Sequence, residues 1–383
     1  MMRFEEISGG VRCSLALFAP EQGGRRELHA VIEPVDVSGS IAGQASRIHA
    51  VLSEMLSHGH GKGFIPVMAR AYLSDVTNQS PVVSEIFNDY PCVLSAIGQP
   101  PLEAGVKIVL LVVMLEDVAV KQLSQSTVTV EHGVYRDIRS VVPVCPGSGS
   151  GEATAAMLES LESQLAREGM SISDNCLRTW FYVRDIDNRY QGMVKARNEF
   201  FYNCGLTADT HFIASTGIEG SNSIPDAVVS LEAYSTGGLQ AGQVRYISAP
   251  EYLNPTSHYG VAFERATAVE YGDRSLVIVS GTASINNKGE IVAPGDIAAQ
   301  CARMADNVEA LLDSAGVAVS DLFHIVLYLR DTADAQFARS FVARRFPGVP
   351  CVAVNAAVCR PGWLVEMECM AMAQACYPDY EVY

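Results

Sequence analysis

Two carboxylates in an apolar strand are the first residues of this sequence that invite chemistry. In CRPGWLVEMECMAMA, residues 359–373, Glu366 and Glu368 alternate with Val365, Met367 and Cys369, so strand geometry puts both acids on one face. An ionised carboxylate in such company costs several kcal/mol unless it is paired or protonated. One reading pairs Glu366 with an arginine of the 339, 344 or 345 positions. The other keeps it protonated by desolvation, a general acid near neutral pH that leaves an anion facing whatever cation the protonation creates.

The elements that must position these acids come as a repeat. Residues 299–331, AQCARMADNVEALLDSAGVAVSDLFHIVLYLRD, predict an amphipathic helix with Met304, Val308, Leu311 and Leu312 on one face, then an apolar strand ending in Arg330-Asp331. Shifted back by 256, residues 43–75 align without a gap, with Gln44 on Gln300 and AYLSD on LYLRD. Residues 153–185 align at a shift of 146, with Tyr182-Val183-Arg184-Asp185 on Tyr328-Leu329-Arg330-Asp331. A second helix and two more strands follow each copy, so the predicted unit is strand, helix, strand, helix, strand, strand. Gly/Ser-rich 143–153 and residues 235–243 suggest boundaries, giving units at 1–145, 146–240 and 241–383. The fold class is α+β.

A shift of 259 from Pro91 onward lays Glu366 on Lys107, Glu368 on Val109, Cys359 on Pro100 and Arg360 on Pro101. Aligning Val229 with Val365 lays Ser230 on Glu366 and Glu232 on Glu368. Only the last copy carries both acids. A structural carboxylate has no reason to occur once in three equivalent strands, whereas a catalytic group in a pseudo-symmetric assembly is needed once.

Composition narrows the partners. The 383 residues are 49% hydrophobic and 18% charged, and the longest apolar run, IVLLVVML at 108–115, is far short of the roughly 20 residues that a spanning helix needs. A formal charge of −16 repels nucleic acid and anionic membrane. Ten cysteines without a C-x-x-C pair suggest reduced, mostly buried thiols, and acidic residues near the start argue against a leader, so the cytoplasm is expected. His58 and His60 sit in the Gly-rich HGHGKG, which reads as a loop, and no metal site is assigned there.

A unit whose last strand reads apolar-Glu-apolar-Glu, preceded by a P-C-V-x-V strand and a Y-[LV]-R-D strand, resembles the RidA/YjgF family of trimeric, chorismate-mutase-like α+β proteins. Three copies in one chain, with YGVAFERA at 259–266, TASI at 282–285, FIASTGIEG at 212–220 and CRPGWLVE at 359–366, resemble the chorismatase family, a single-chain pseudo-trimer that removes pyruvate from chorismate. RidA-type deaminases carry an arginine just before the P-C-V-like strand, where this chain has Gly348-Val349-Pro350.

The resemblance implies that Glu366 protonates the enolpyruvyl methylene and that Cys359, seven residues earlier, directs the ring toward aromatisation. The expected products are pyruvate and 3-hydroxybenzoate, with 4-hydroxybenzoate left open. Chorismate's two carboxylates call for arginines. The candidates are Arg184 and Arg265, with Arg330 and Arg360 behind them; Tyr259, Tyr182 and the Thr216-Gly217 backbone are further contacts. No cofactor or metal is implied, and the pseudo-trimer stands alone or self-associates. The alternatives are a hydrolase giving a dihydroxycyclohexadienoate, and a RidA-like imine deaminase or small-molecule binder.

Overall fold

The computed structural model describes every residue except Gln22, and the side chains of His258 and Tyr259 lie outside the described residues. The first unit runs β1 (Met2–Ser8), β2 (Val11–Phe18), β3 (Glu27–Pro34), α1 (Ile41–His58), β4 (Phe64–Leu73), α2 (Val76–Ile86), β5 (Val93–Gly98) and β6 (Ile108–Glu116). The second runs β7 (Ala119–Ser124), β8 (Thr127–His132), β9 (Tyr135–Val142), α3 (Ser150–Arg167), α4 (Ile172–Asn175), β10 (Cys176–Val183), α5 (Ile186–Asn203), β11 (Ala214–Glu219) and β12 (Val229–Gly237). The third runs β13 (Val244–Ile247), β14 (Ala266–Glu270), β15 (Arg274–Ala283), α6 (Ile297–Ala315), β16 (Leu322–Leu329), α7 (Ala335–Arg345), β17 (Cys351–Asn355) and β18 (Val365–Gln374).

Each unit is one six-stranded sheet with the same strand order, β1-β2-β3-β6-β4-β5 in the first. Two antiparallel strands therefore precede the predicted unit, which began too late. Strands β7 to β9, residues 119–142, hydrogen-bond into the second sheet through β9 and β12, so the first sheet ends at Glu116 and not near residue 145. The Gly/Ser-rich segment is a β9–α3 loop inside the second unit.

Local signals explain the helices. Asp296 caps α6 by accepting from the Ala299 amide at 3.0 Å, and Gly316 ends it at φ +81, a left-handed conformation that glycine adopts without a steric penalty. Its buried stripe, Cys301, Met304, Val308, Leu311 and Leu312, keeps the helical spacing and covers the outer face of its sheet. The inner faces of all three sheets form one central core, where Tyr72, Tyr182 and Tyr328 from equivalent strands are fully buried.

The ladders fix the equivalences between copies. Tyr328 pairs with Glu366, Tyr182 with Ser230 and Tyr72 with Val109. Glu366 therefore corresponds to Val109, not to Lys107, and Glu368 corresponds to Glu232 and Leu111. Gln300 and Gln44 give the same offset, since each donates to a loop carbonyl (Gly362, Gly105) and accepts from an amide two residues on (Leu364, Lys107). Cys359 then falls on Leu102 and Arg360 on Glu103. The slip was two residues, which preserves strand parity, so the conclusion that one copy alone carries both acids stands.

Candidate active site

The units join in one manner three times. The strand that runs parallel at the edge of each sheet bridges the neighbouring unit: Gly98 to Ser221, Ile218 to Val358, and Val354 to Pro101. At the second of these joints, between units two and three, lies a narrow cleft whose space, counted out to open solvent, is about 520 Å³. The second unit contributes Tyr190 and Arg197 from α5 and Ser215, Thr216 and Gly217 from β11. The third contributes Phe263, Arg265, Gly281, Cys359, Arg360, Trp363 and Glu366.

Glu366 is 5% exposed, and among the described residues no hydrogen bond to its carboxyl is made. Burial, and then the charge of Glu368, push it up to about 8 against the pull of Arg178 and Arg265. A carboxyl in that range keeps its proton at neutral pH. None of the three helix arginines considered as structural partners reaches it: Arg339 pairs with Glu103, Arg345 pairs with Asp306 and Glu309, and Arg344 lies on α7 outside the cleft lining.

A bulge makes room for the acid. β15 and β18 pair regularly from Arg274↔Gln374 to Val279↔Cys369 and resume at Thr282↔Met367, so three residues of β15 span what two span on β18. The corresponding pairings β3–β6 and β9–β12 run on without that shift. Gly281 sits in the bulge, and a Cβ there would lie 2.3 Å from Glu366 Oε1. Only glycine leaves that carboxyl its place. The Gly281 amide donates to Thr216 Oγ1 at 2.9 Å, tying the bulge to the second unit.

Glu368 is the opposite case. Arg178 Nη2 donates to it at 2.7 Å, Trp180 Nε1 at 2.8 Å and Thr216 Oγ1 at 2.6 Å, with Arg70 Nη1 3.9 Å away. Burial alone would raise its pKa, but the Arg178 and Arg70 charges and these donors hold it below the usual carboxylate range. Two acids on one strand face thus carry different charge. Cys359 is half-buried in the cleft with Glu366, and desolvation, with the Glu366 charge second, pushes its thiol up to about 12.

Of the residues expected from sequence, Glu366, Cys359, Arg265, Arg360, Thr216 and Gly217 meet in this cleft. Arg184 does not. It donates to the Asn222 carbonyl and lines a separate surface hollow with Arg189 and Asp226, because the strand end that carries it points away from the joint. Arg330 is likewise spent on Asp187. Tyr182 is buried in the central core with its hydroxyl away from the cleft lining, and the Tyr259 side chain lies outside the described residues. Sequence reasoning missed Tyr190, Arg197 and the Gly281 bulge. A signal for Arg197 exists: it falls on the buried stripe of α5 with Met193 and Phe201, an arginine where the spacing demands an apolar residue. Among the described residues no three His, Cys, Asp or Glu side chains cluster as a metal would require, and no helix is long and apolar enough to cross a membrane.

The class defined by this fold is a pseudo-trimeric α+β chain of three equivalent units, with a cleft between two of them. Residues 262–373 match the family model described as Endoribonuclease L-PSP. The 2-iminobutanoate/2-iminopropanoate deaminase of Escherichia coli (strain K12) is 33% identical over 88 residues, 21% of this chain and 67% of the relative. A RutC family protein of Haemophilus influenzae is 32% identical over 96 residues, 23% of this chain and 71% of the relative. The chain belongs to this RutC, or endoribonuclease L-PSP, family. Across all three units its fold is that of a chorismatase crystal structure, with TM-score 0.63 and 19% identity, covering 80% of this chain and 93% of the other.

Proposed function

We propose that the protein is a chorismatase that converts chorismate to 3-hydroxybenzoate and pyruvate. The observation that carries this reading is Glu366: a buried carboxyl, protonated at neutral pH, present at one of three equivalent strand positions and facing a cleft lined by Arg197, Arg265 and Arg360. Protonation of an enol ether needs a donor of that acidity, and the oxocarbenium that results needs the anion left behind. Three guanidinium groups suit a dicarboxylate substrate.

The substrate's atoms are fully accounted for by hydroxybenzoate plus pyruvate, with no net water consumed and no redox partner. Exclusion of water is then the condition for aromatisation, and water entry gives the diol instead. Cys359 supports the first outcome by bulk and dryness, since a thiol near 12 is a poor base at neutral pH. Ten free cysteines suit a reducing compartment such as the cytoplasm. Chromatography of pure protein incubated with chorismate tests the reading: hydroxybenzoate and pyruvate in equal amounts are expected, a diol would make it a hydrolase, and unchanged chorismate would reject it.

A further inference from the structure

Around the central axis, one clamp is built twice and omitted once. Arg70 of β4 donates to Glu232 of β12 at 3.0 and 2.6 Å, joined by the Ser95 hydroxyl. Trp180 of β10, at the Arg70 position, donates to Glu368, joined by the Thr216 hydroxyl at the Ser95 position. At the remaining joint the equivalents are Val326, Val352 and Leu111. The clamp holds units together wherever it occurs. Only in the third unit, however, does a second carboxyl stand two residues from the clamped one, because position 366 is Ser230 in the second unit and Val109 in the first.

We infer that Glu368 is a positioning residue for the acid: a carboxylate fixed by donors from the second unit, with Arg70 of the first 3.9 Å away, whose charge adds to burial in keeping Glu366 in its carboxylic-acid form. This rests on the reading of Glu366 as the proton donor. Residues i and i+2 on one strand face lie about 7 Å apart, close enough that two negative charges in a buried site oppose each other. Arg178 Nη2 spans Glu368 and Thr216, and Trp180 and Thr216 also donate to Glu368, so the bonds made here hold Glu368 and not Glu366. The other groups facing Glu366 are Arg178 from β10, Arg197 and Tyr190 from α5, and Arg265, Arg360 and Cys359 from the third unit. A bound dicarboxylate offsets the charge of the cleft arginines, which weakens the pull of Arg265 on Glu366 and leaves that of Arg178 in place.

The test is pyruvate release against pH for wild type, Glu368→Gln and Glu368→Asp, together with infrared titration of the Glu366 carboxyl, assigned by difference with Glu366→Gln. Glu368→Gln should move the alkaline limb and the Glu366 titration down by about one pH unit, the usual effect of a neighbouring like charge. Glu368→Asp, which keeps the charge, should restore both. A Glu368→Gln enzyme whose rate falls while both titrations stay put would make Glu368 glue and nothing more. Should that variant not fold, the wild-type spectrum decides: Glu366 keeping its proton while Glu368 has none supports the inference, and Glu366 ionising first overturns it. If chorismate is not turned over at any pH, the proposed function fails while the infrared result still stands.

Discussion

The cleft between units two and three has a counterpart between units three and one, and the two differ in instructive ways. The counterpart is wider, about 2240 Å³ and open to solvent. It has Val109 where the first has Glu366, Leu102 where it has Cys359, and Glu103 where it has Arg360. Its arginines are spent internally, Arg339 on Glu103, Arg12 on Glu33 and Arg3 on three backbone carbonyls. The backbone architecture of the cleft is therefore present twice, and what separates the two is a bulge, one acid and which arginines line it. Fold supplies the cleft; a handful of side chains supplies the chemistry.

The largest effect should come from the clamps that set the joints. Arg70→Leu leaves Glu232 buried with only the Ser95 hydroxyl, so unfolding in denaturant should show a loss of about 3–5 kcal/mol. Next, Glu366→Gln should lower pyruvate release at least about a hundredfold, the scale of a general acid, with folding intact. Adding Val109→Glu to that variant should restore nothing, because the counterpart cleft lacks the bulge. Retention of a tenth of wild-type activity by Glu366→Gln would remove the acid from the mechanism.

The same substitution should alter the dependence of stability on pH. Glu366 titrates near 8 in the folded chain against an ordinary 4.5, so across that window the native state holds a proton that the unfolded chain has lost, and stability falls as pH rises. Melting temperatures of Glu366→Gln should fall less steeply over that range. Some slope should remain, because burial also raises Glu27, to about 7.

Arg265→Ala or Arg197→Ala should then raise KM by the equivalent of about 1.5–3 kcal/mol, with poor rescue by lysine. Arg339→Ala and Arg184→Ala, outside the cleft, should leave KM unchanged. The smallest effect on turnover belongs to Cys359→Ala. It should release pyruvate at nearly the wild-type rate, with part of the hydroxybenzoate replaced by diol, read as phenolic absorbance per mole of pyruvate. Full hydroxybenzoate yield would assign product choice elsewhere in the cleft.

Much of this was legible before any coordinates. Helical spacing and a repeated strand ending placed three units, and strand parity put both acids on one face. The two leading strands of each unit escaped notice because they have diverged beyond recognisable repetition, and Gly/Ser content marks any loop, internal or not. The register error arose because Pro91-Cys92-Val93 was laid on Pro350-Cys351-Val352 by residue type, whereas the ladders pair Ser95 with Arg70 and Val352 with Val326, two residues away from that match. Arg184 was misplaced for a different reason: a motif repeated in all copies points to what the copies share, and the chemistry lies where they differ. The division of charge between Glu366 and Glu368 was beyond sequence, since it depends on donors 152 to 190 residues away.

The connections between sheets are short, residues 117–118 between β6 and β7 and residues 238–243 between β12 and β13. An assembly of three separate chains would hold its clefts only at concentrations above its dissociation constant. Tethering replaces that requirement with an effective concentration in the millimolar range or above for short links. The cleft between units two and three therefore survives dilution that would dissolve a three-piece counterpart, and specific activity should be independent of how little protein is in the assay.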